Sequence, residues 1–188
     1  TTTFGEDVFS QFVYGLSPTF QVGIIGGGLA TILGMLVGFT GGYRGGILDE
    51  ILNVLTNIVL TIPTLALLVV ISAYVKVRGV VIEALFIGVT MWPWAARAIR
   101  AQTFSLRSRD FVDLARISGE KPLKIIFTEI APNMASYLFM TFILMFGNAI
   151  LCAATLDFLG LGPTQLISLG TMMNLAVAWS ALMLKMWW

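Results

Sequence analysis

The chain has 188 residues, of which 57% are hydrophobic and 11% are charged, and its formal net charge is +1. Soluble domains carry about 25% charged residues, and a soluble fold of this length has too little core to hide so much apolar surface, so the composition indicates a membrane protein. Because the chain has no histidine and a single cysteine, Cys152, we expect no zinc or haem site and no internal disulfide. The small net charge gives no indication of nucleic-acid binding, and we expect no nucleic-acid partner.

Four apolar segments are long enough to cross a hydrocarbon core of about 30 Å, which requires roughly 20 helical residues. These predicted spans are 20–39, 52–74, 80–98 and 134–156. A further apolar stretch, 169–188, contains polar interruptions and stops on Trp187 and Trp188, where an interfacial aromatic belt would open another span. The sequence therefore predicts a single transmembrane domain over 1–188, and we expect it to be a fragment of a longer membrane protein.

Basic residues predict which ends of the spans face the cytoplasm. Placing 107–132 inside leaves three basic residues outside, which are Lys76, Arg78 and Lys185, and puts the other eight inside, which are Arg44, Arg97, Arg100, Arg107, Arg109, Arg116, Lys121 and Lys124. This excess fits the positive-inside rule. The segment 1–17, read as preceding the first helix, and the loop 158–170 are then external.

Small residues mark one helix as closely packed. Gly23, Gly27, Gly34 and Gly38 lie in the first span and include pairs four residues apart, which share a helix face. Glycines at this spacing let a second helix approach closely in a membrane. The pattern is consistent with tight packing inside the chain or with contact to another subunit.

Pro63, Glu83 and Trp92 are candidate residues of a transport pathway. Pro63 removes a backbone hydrogen bond from the second span and predicts a kink, which could line a pathway or be a passive bend. Glu83 is one of three acids near predicted span ends, with Glu129 and Asp157. We expect water to reach these acids and their roles to be interfacial or structural, the alternative being a proton relay or a peptide-amine site at Glu83. Trp92 suits either an interfacial belt or substrate stacking.

The polar block 107–132 separates the third and fourth spans. Apolar residues recur at helical spacing between charges, at Phe111, Leu114, Ala115 and Ile117. Ser108 is a candidate N-cap, Gly119 suits a C-cap, and Pro122 suits the first turn of a second helix that runs to Pro132. Periodicity alone is consistent with an interfacial helix among lipid headgroups or with a helix that docks on a partner.

Motifs in the block and elsewhere resemble one transporter family. Asp113-Leu114-Ala115, three residues, Gly119, and later Ile130-Ala131-Pro132 resemble the EAA loop of ABC-importer permeases, with Asp113 in place of the usual Glu. Other segments resemble the dipeptide and oligopeptide branch in the same order along the chain. They are TFGEDVFSQFVYG (3–15), GFTGGYRGGILDEILN (38–53), FVDLARISGEKPLKIIFTEIAPN (111–133), ATLDFLGLGPT (154–164) and the run from LGTMMNLA (169–176).

The resemblance implies an all-α membrane fold, the type I ABC-importer transmembrane domain, in which a helical bundle carries a cytoplasmic coupling helix. It also implies that the family's first and last helices are not included in this chain. In the coupling helix Phe111, Leu114 and Ile117 would enter a groove of an ATP-binding subunit. The residues implied at this contact are Phe111, Asp113, Leu114, Ala115, Arg116, Gly119 and Pro132, while Arg100, Arg107 and Arg109 would orient the loop.

The implied function is that of a non-catalytic permease subunit in the inner membrane of a prokaryote. Its partners would be a second related permease, two cytoplasmic ATP-binding subunits, an external solute-binding protein and lipid. The chain has no G-x-x-x-x-G-K-[ST] motif, so ATP and Mg²⁺ would bind to the partners and no cofactor to this chain. The implied cargo is a di- or oligopeptide, with oligosaccharides or nickel as alternatives. Few charges lie at mid-span, which disfavours an ion-coupled secondary transporter, and the lack of histidine disfavours a Ser–His intramembrane enzyme.

Overall fold

A computed structural model describes residues 5–75, 79–163, 166–181 and 183–185, and all regular secondary structure in these ranges is helical. Lys76, Arg78, Trp187 and Trp188, used above for topology and for the interfacial belt, lie outside the described residues. The helices are α1 (Val8–Arg44), α2 (Gly46–Thr61), α3 (Thr64–Val75), α4 (Val80–Leu106), α5 (Asp110–Ile117), α6 (beginning as Pro122–Ile125), α7 (Ala135–Phe158) and α8 (Leu169–Ala178).

Helix α1 begins well before the predicted span 20–39. Asp7 caps its N-terminus by accepting hydrogen bonds from the backbone N–H groups of Phe9 and Ser10, so residues 8–17, read above as a pre-helix segment, are helical. The Ser10 hydroxyl, which donates to Asp7, holds the pKa of that carboxyl below its usual value. A π turn at Gly23–Gly27 interrupts the α-helical pattern of α1 without ending the helix.

Pro63 breaks the second predicted span instead of kinking one continuous helix. Helix α2 ends at Thr61, Ile62 is extended (φ −86°, ψ 122°), and α3 leaves at 74° to α2. A residue before proline avoids the helical region, and proline has no N–H to donate, so the two helices separate here. Helices α1, α4 and α7 are each long and apolar enough to span a membrane, and the bent pair α2–α3 passes the same test only when taken together.

Helices α1 and α4 pack closely along their length because glycines on α1 face small residues on α4. A Cβ on Gly34 would lie 2.5 Å from the Cβ of Ala95, and a Cβ on Gly38 would lie 2.9 Å from the carbonyl oxygen of Ala96. One turn further, a Cβ on Gly42 would lie 2.8 Å from the Cβ of Thr103. Only glycine permits this approach.

Helix α7 packs against the other half of the glycine pattern. A Cβ on Gly23 would lie 2.6 Å from the ring of Phe146, and a Cβ on Gly27 would lie 2.6 Å from the backbone nitrogen of Phe146. The four glycines identified in the sequence therefore all pack inside the chain, Gly23 and Gly27 on α7 and the other two on α4. Of the two readings left open above, internal packing is the one observed.

Two hydrophobic clusters lie at opposite ends of the bundle. One surrounds Ile99 on α4 and includes residues from the polar block, among them Val112 and Ile130. The other surrounds Ile87 and Leu156. Helix α4, at about 1.5 Å per residue over its 27 residues, is about 40 Å long and connects the two clusters.

Substituting Gly27→Ala should lower stability by about 1–3 kcal/mol, because its methyl group meets backbone atoms of Phe146 that cannot rotate away. Gly147→Ala, on α7 with no atom within 4 Å of the added carbon, is the matched control and should be neutral or slightly stabilising, since alanine favours a helix more than glycine does. Thermal unfolding of both purified variants in detergent measures the difference. Equal melting temperatures for the two variants would show that the close approach is not needed.

Candidate functional site

The polar block folds into an elbow of two short helices between α4 and α7. Helix α5 ends in a tight turn in which the Gly119 N–H donates to the carbonyl of Arg116 (3.0 Å) and the Glu120 N–H donates to the carbonyl of Ala115 (3.1 Å). This is a Schellman cap, and Gly119 adopts the left-handed conformation that it requires (φ +79°). Pro122 opens α6, as predicted from its position after the turn.

The start of α5 differs from the prediction. Arg109, not Ser108, occupies the N-cap position, with extended backbone and no side-chain cap. The Ser108 hydroxyl instead donates to the carbonyl of Ser105 in the last turn of α4 (3.3 Å). Because Ser108 is engaged with the preceding helix, α5 begins at Asp110, whose carboxylate lies in the first turn, where a negative charge favours a helix.

One face of α5 fixes the elbow to the bundle. Val112 is completely buried, in a cluster that includes Ile99 of α4 and Ile125 of α6. Phe111 and Ala115 are partly buried against this cluster. Phe111, predicted to face a partner, is thus partly buried inside the chain, and Val112 was not among the predicted residues. The reason is that an eight-residue helix has too few apolar positions for periodicity to show which side faces inward.

The opposite face of the elbow is apolar and exposed. Leu114 is 65% exposed and Ile117 is 84% exposed, and Leu123 and Phe127 on the following helix are exposed as well. We call these four residues the exposed ridge. Nothing in the described part of the chain covers it, and it lies beside the charged residues Asp113 and Arg116.

Asp113 and Arg116 pair with each other. An Arg116 Nη1 lies 2.9 Å from Asp113 Oδ1, one turn apart on α5, and both side chains are exposed. The Arg116 guanidinium also lies over the ring of Tyr43, 5.3 Å from its centroid. The pair therefore ties α5 to the end of α1. The Asp113–Arg116 ion pair itself contributes little to stability, because both side chains are exposed.

Two arginines brace the helices next to the elbow. Arg100 on α4 donates two hydrogen bonds to the buried Asp49 on α2 (2.5 and 2.7 Å). Arg107 donates to the carbonyl of Gly42 (3.4 Å) and stacks on Phe104. Arg109, grouped with them in the sequence analysis, is exposed. Arg100 and Arg107 thus connect the ends of α1, α2 and α4.

The junction between the elbow and α7 contains an irregular turn. After Pro122–Ile125, α6 continues as a π turn, Ile126–Ile130, then as Ala131–Asn133, and a break at Met134 precedes α7. Pro132 lies in this last segment and is exposed. Because proline has no N–H, the regular series of helical backbone hydrogen bonds is interrupted at Pro132.

The candidate pathway residues do not form one site. Pro63 is exposed at the α2–α3 break, and Trp92 is half-buried on α4. Glu83 and Asp157 line one cavity that neither Pro63 nor Trp92 lines. Both acids are buried, 2% and 5% exposed, so the expectation that water reaches them is wrong. Pro163, Leu166 and Ser168, which follow α7 in the chain, line the same cavity, which the span pattern did not indicate. Glu129 is half-buried in the π turn.

Residues 30–186 match the family described as the binding-protein-dependent transport system inner membrane component. This range contains the elbow, the close packing of α1 on α4 and the loop after α7. The chain is also 32% identical over 164 residues to a putative peptide transport system permease protein of Brucella suis biovar 1, covering 86% of this chain and 54% of that protein.

Two further relatives carry similar names. The dipeptide transport system permease protein DppC of Alkalihalophilus pseudofirmus is 35% identical over 164 residues, covering 86% of this chain and 53% of the relative. The oligopeptide transport system permease protein OppC of Mycobacterium bovis is 30% identical over 175 residues, covering 92% and 60%. The chain thus spans between half and two thirds of the length of these relatives.

The family match, the all-helical architecture and the apolar helices confirm the predicted fold class and a multi-pass inner-membrane location. The chain belongs to the family of inner-membrane permease components of binding-protein-dependent ABC importers.

Proposed function

We propose that this chain forms part of the membrane pathway of an ATP-driven peptide importer, and that the elbow couples this pathway to ATP hydrolysis by cytoplasmic subunits. The observation that carries the proposal is the exposed ridge on the elbow. Leu114 and Ile117 leave apolar surface uncovered on a rigid helix whose other face is anchored by Val112. An amphipathic helix held in this way suits insertion into an apolar groove of a partner.

The elbow can transmit force because it is stiff and is joined to two long helices. Its cap, its buried Val112 and the Arg116 stack on Tyr43 hold α5 in one orientation. A displacement of α5 by the ATP-binding subunits would pass backward into α4 and forward through α6 into α7. Rigid-body motion of packed helices is a common way to switch a transporter between two states. Four further residues contribute to the shape of the elbow: Asp113, Ala115, Gly119 and Pro132.

The elbow lies at the cytoplasmic end in this proposal, and the loop 158–170 lies at the external end. Eight of the eleven basic residues then face the cytoplasm. The half-buried Arg100, paired with the buried Asp49, and Arg107 are at the elbow end of α4, whereas Glu83 is at its other end. This sidedness requires residues 1–17 to begin outside the membrane.

The remaining partners follow from the proposed machinery. A second permease chain and lipid would cover the exposed apolar side chains of the long helices, for example Ile32, Leu36, Leu144 and Leu151. Two ATP-binding subunits would supply ATP and Mg²⁺, and an external binding protein would deliver the cargo. The names of the relatives favour a di- or oligopeptide as that cargo.

The full-length protein, assembled with its partners in vesicles, should take up peptide only when ATP is supplied, and vanadate should stop the uptake. An ion gradient without ATP should drive none, because the spans carry few charges that could couple an ion to transport. Uptake of a labelled peptide measures this. ATP-independent uptake driven by a sodium or proton gradient would contradict the proposal.

Gly119→Arg should reduce uptake and substrate-stimulated ATPase activity to background while leaving the chain inserted. No atom of this chain lies within 4 Å of an added Cβ at Gly119, so the arginine would project from the elbow and obstruct a partner. Gly119→Asn is the matched control, since asparagine tolerates the left-handed conformation better than most residues. It should retain most activity. Normal uptake by the arginine variant would contradict a coupling role.

A cysteine at Leu114 should cross-link to an ATP-binding subunit, whereas one at Leu159 should not. The two side chains are similarly exposed, 65% and 54%, but lie at opposite ends of the bundle. The background is Cys152→Ser, which removes the native thiol. Gel electrophoresis of the complex measures the cross-linking yield at each position. Equal yields from the two positions would refute the proposed sidedness.

A further inference from the structure

The end of the bundle opposite the elbow contains two buried carboxyl groups in one cavity. Glu83 comes from the first turn of α4 and is 2% exposed, and Asp157 comes from the end of α7 and is 5% exposed. The cavity between them is also lined by residues of α1, by Pro163, and by Ser168 and Gly170 at the start of α8. Neither acid takes part in the proposed coupling to ATP hydrolysis.

Hydrogen bonds reach some but not all of the carboxylate oxygens of Glu83 and Asp157. The Ser168 hydroxyl donates to Asp157 Oδ2 and accepts the backbone N–H of Thr171. Glu83 Oε1 and Asp157 Oδ1 are both buried and have no hydrogen-bond partner. Leaving a charged carboxylate oxygen buried and unpaired is costly, and two such groups in one cavity also repel each other.

A positive charge that would balance both acids is not found among the described residues around the cavity. The other ten residues that line it, from α1, α4, α7, the loop and α8, are all uncharged. Arg100, Arg116 and Lys124 pair with acids at the elbow end. Lys76 and Arg78 precede α4 in the sequence and lie outside the described residues, so the experiment below includes them.

A metal ion fits the cavity poorly. Among the described residues no group of three or more His, Cys, Asp or Glu side chains could hold one. The hydroxyls that could complete a ligand set are engaged, since Thr19 donates to the carbonyl of Gly15 and Ser168 donates to Asp157. A proton needs only the two carboxyl groups themselves.

We propose that Glu83 and Asp157 together form a proton-binding site, in which the pair holds one proton at neutral pH and so carries a single negative charge. The proton occupies one of the two unpartnered oxygens, Glu83 Oε1 or Asp157 Oδ1, and the Ser168 hydroxyl stabilises the charge that remains. Release of the proton to water leaves two adjacent negative charges in an apolar setting.

The bound proton would stabilise the attachment of α8 to α7. Asp157 contacts α8 at two places, the Ser168 hydroxyl and Gly170, where an added Cβ would lie 2.6 Å from the Cβ of Asp157. The Leu169 N–H also donates to Thr19 on α1 (3.4 Å). Repulsion between Glu83 and Asp157 would push Asp157 away from these contacts. The folded protein therefore binds a proton that the unfolded chain releases, and its stability falls as the pH rises.

The test is infrared difference spectroscopy of the assembled full-length protein in lipid, between about pH 6 and about pH 9, a range in which buried carboxyl groups can titrate. The wild-type protein should lose a protonated carboxyl band on deprotonation, and Glu83→Gln should abolish that change. Glu50→Gln, which removes an exposed acid on α2, should leave it unaltered. Replacing sodium by choline should not alter the band.

Thermal unfolding over the same pH range gives the second readout. The melting temperature of the wild-type protein should fall with rising pH, whereas that of Glu83→Gln should change little, because glutamine resembles the neutral acid and keeps one charge in the cavity. Two results would overturn the proposal. One is a wild-type protein without the band, and its appearance after Lys76 and Arg78 are both changed to Gln would identify these residues as the missing positive charge. The other is equal pH dependence of melting in wild type and Glu83→Gln.

Discussion

The close approach of α1 to α4 is the constraint on which the rest of this structure depends. Lipid tails are as apolar as the helix surfaces, so in a membrane helices associate through dispersion and backbone proximity more than through the hydrophobic effect. Gly34, Gly38 and Gly42 allow the backbones to meet at Ala95, Ala96 and Thr103. This contact sets the direction of α4, and α4 carries the elbow at one end and Glu83 at the other.

The shape of the elbow depends on local turn residues and on one side chain buried in the bundle. Gly119 and Pro122 specify a turn between two short helices wherever the segment lies, because one permits a left-handed conformation and the other fixes the start of a helix. Val112 then determines which face of α5 is buried. Once this face is fixed, Leu114 and Ile117 must point away from the bundle. The exposed ridge is therefore a consequence of anchoring on the other face.

Buried polar groups are handled differently at the two ends of the bundle. At the elbow end, Asp49 meets Arg100 in a two-bond pair that neutralises both charges and joins α2 to α4. At the other end, Glu83 and Asp157 line one cavity with the hydroxyl groups of Thr19 and Ser168, and no basic residue among the described residues lines it. An apolar bundle tolerates the first arrangement because the charges cancel, and the second because a proton can remove one of them.

Much of the fold and part of the site could be predicted from the sequence, for reasons that particular residues show. Apolar length, the glycines of α1 and the turn at Gly119 are each specified by neighbouring residues, and ordered motifs indicated the family, whereas at Pro63 a kink was predicted and the helix ends instead. The N-cap predicted at Ser108 and the access of water predicted at Glu83 are not observed, and Phe111, predicted to face a partner, is partly buried against the core. Ser108 is engaged locally, by the carbonyl of Ser105. The other two depend on distant segments: the core around Ile99 packs against Phe111, and Ser168 lines the cavity that contains Glu83.

The sequence by itself thus determined that the chain is an all-helical membrane protein with a capped polar elbow between two spans, because hydropathy, caps and turns act over a few residues. Only the tertiary structure decided which side of the elbow is free, which arginine pairs with Asp49, and that Glu83 and Asp157 share a cavity. These residues come from helices far apart in the chain. Their proximity is set by how closely backbones can pack, a property that no single segment encodes.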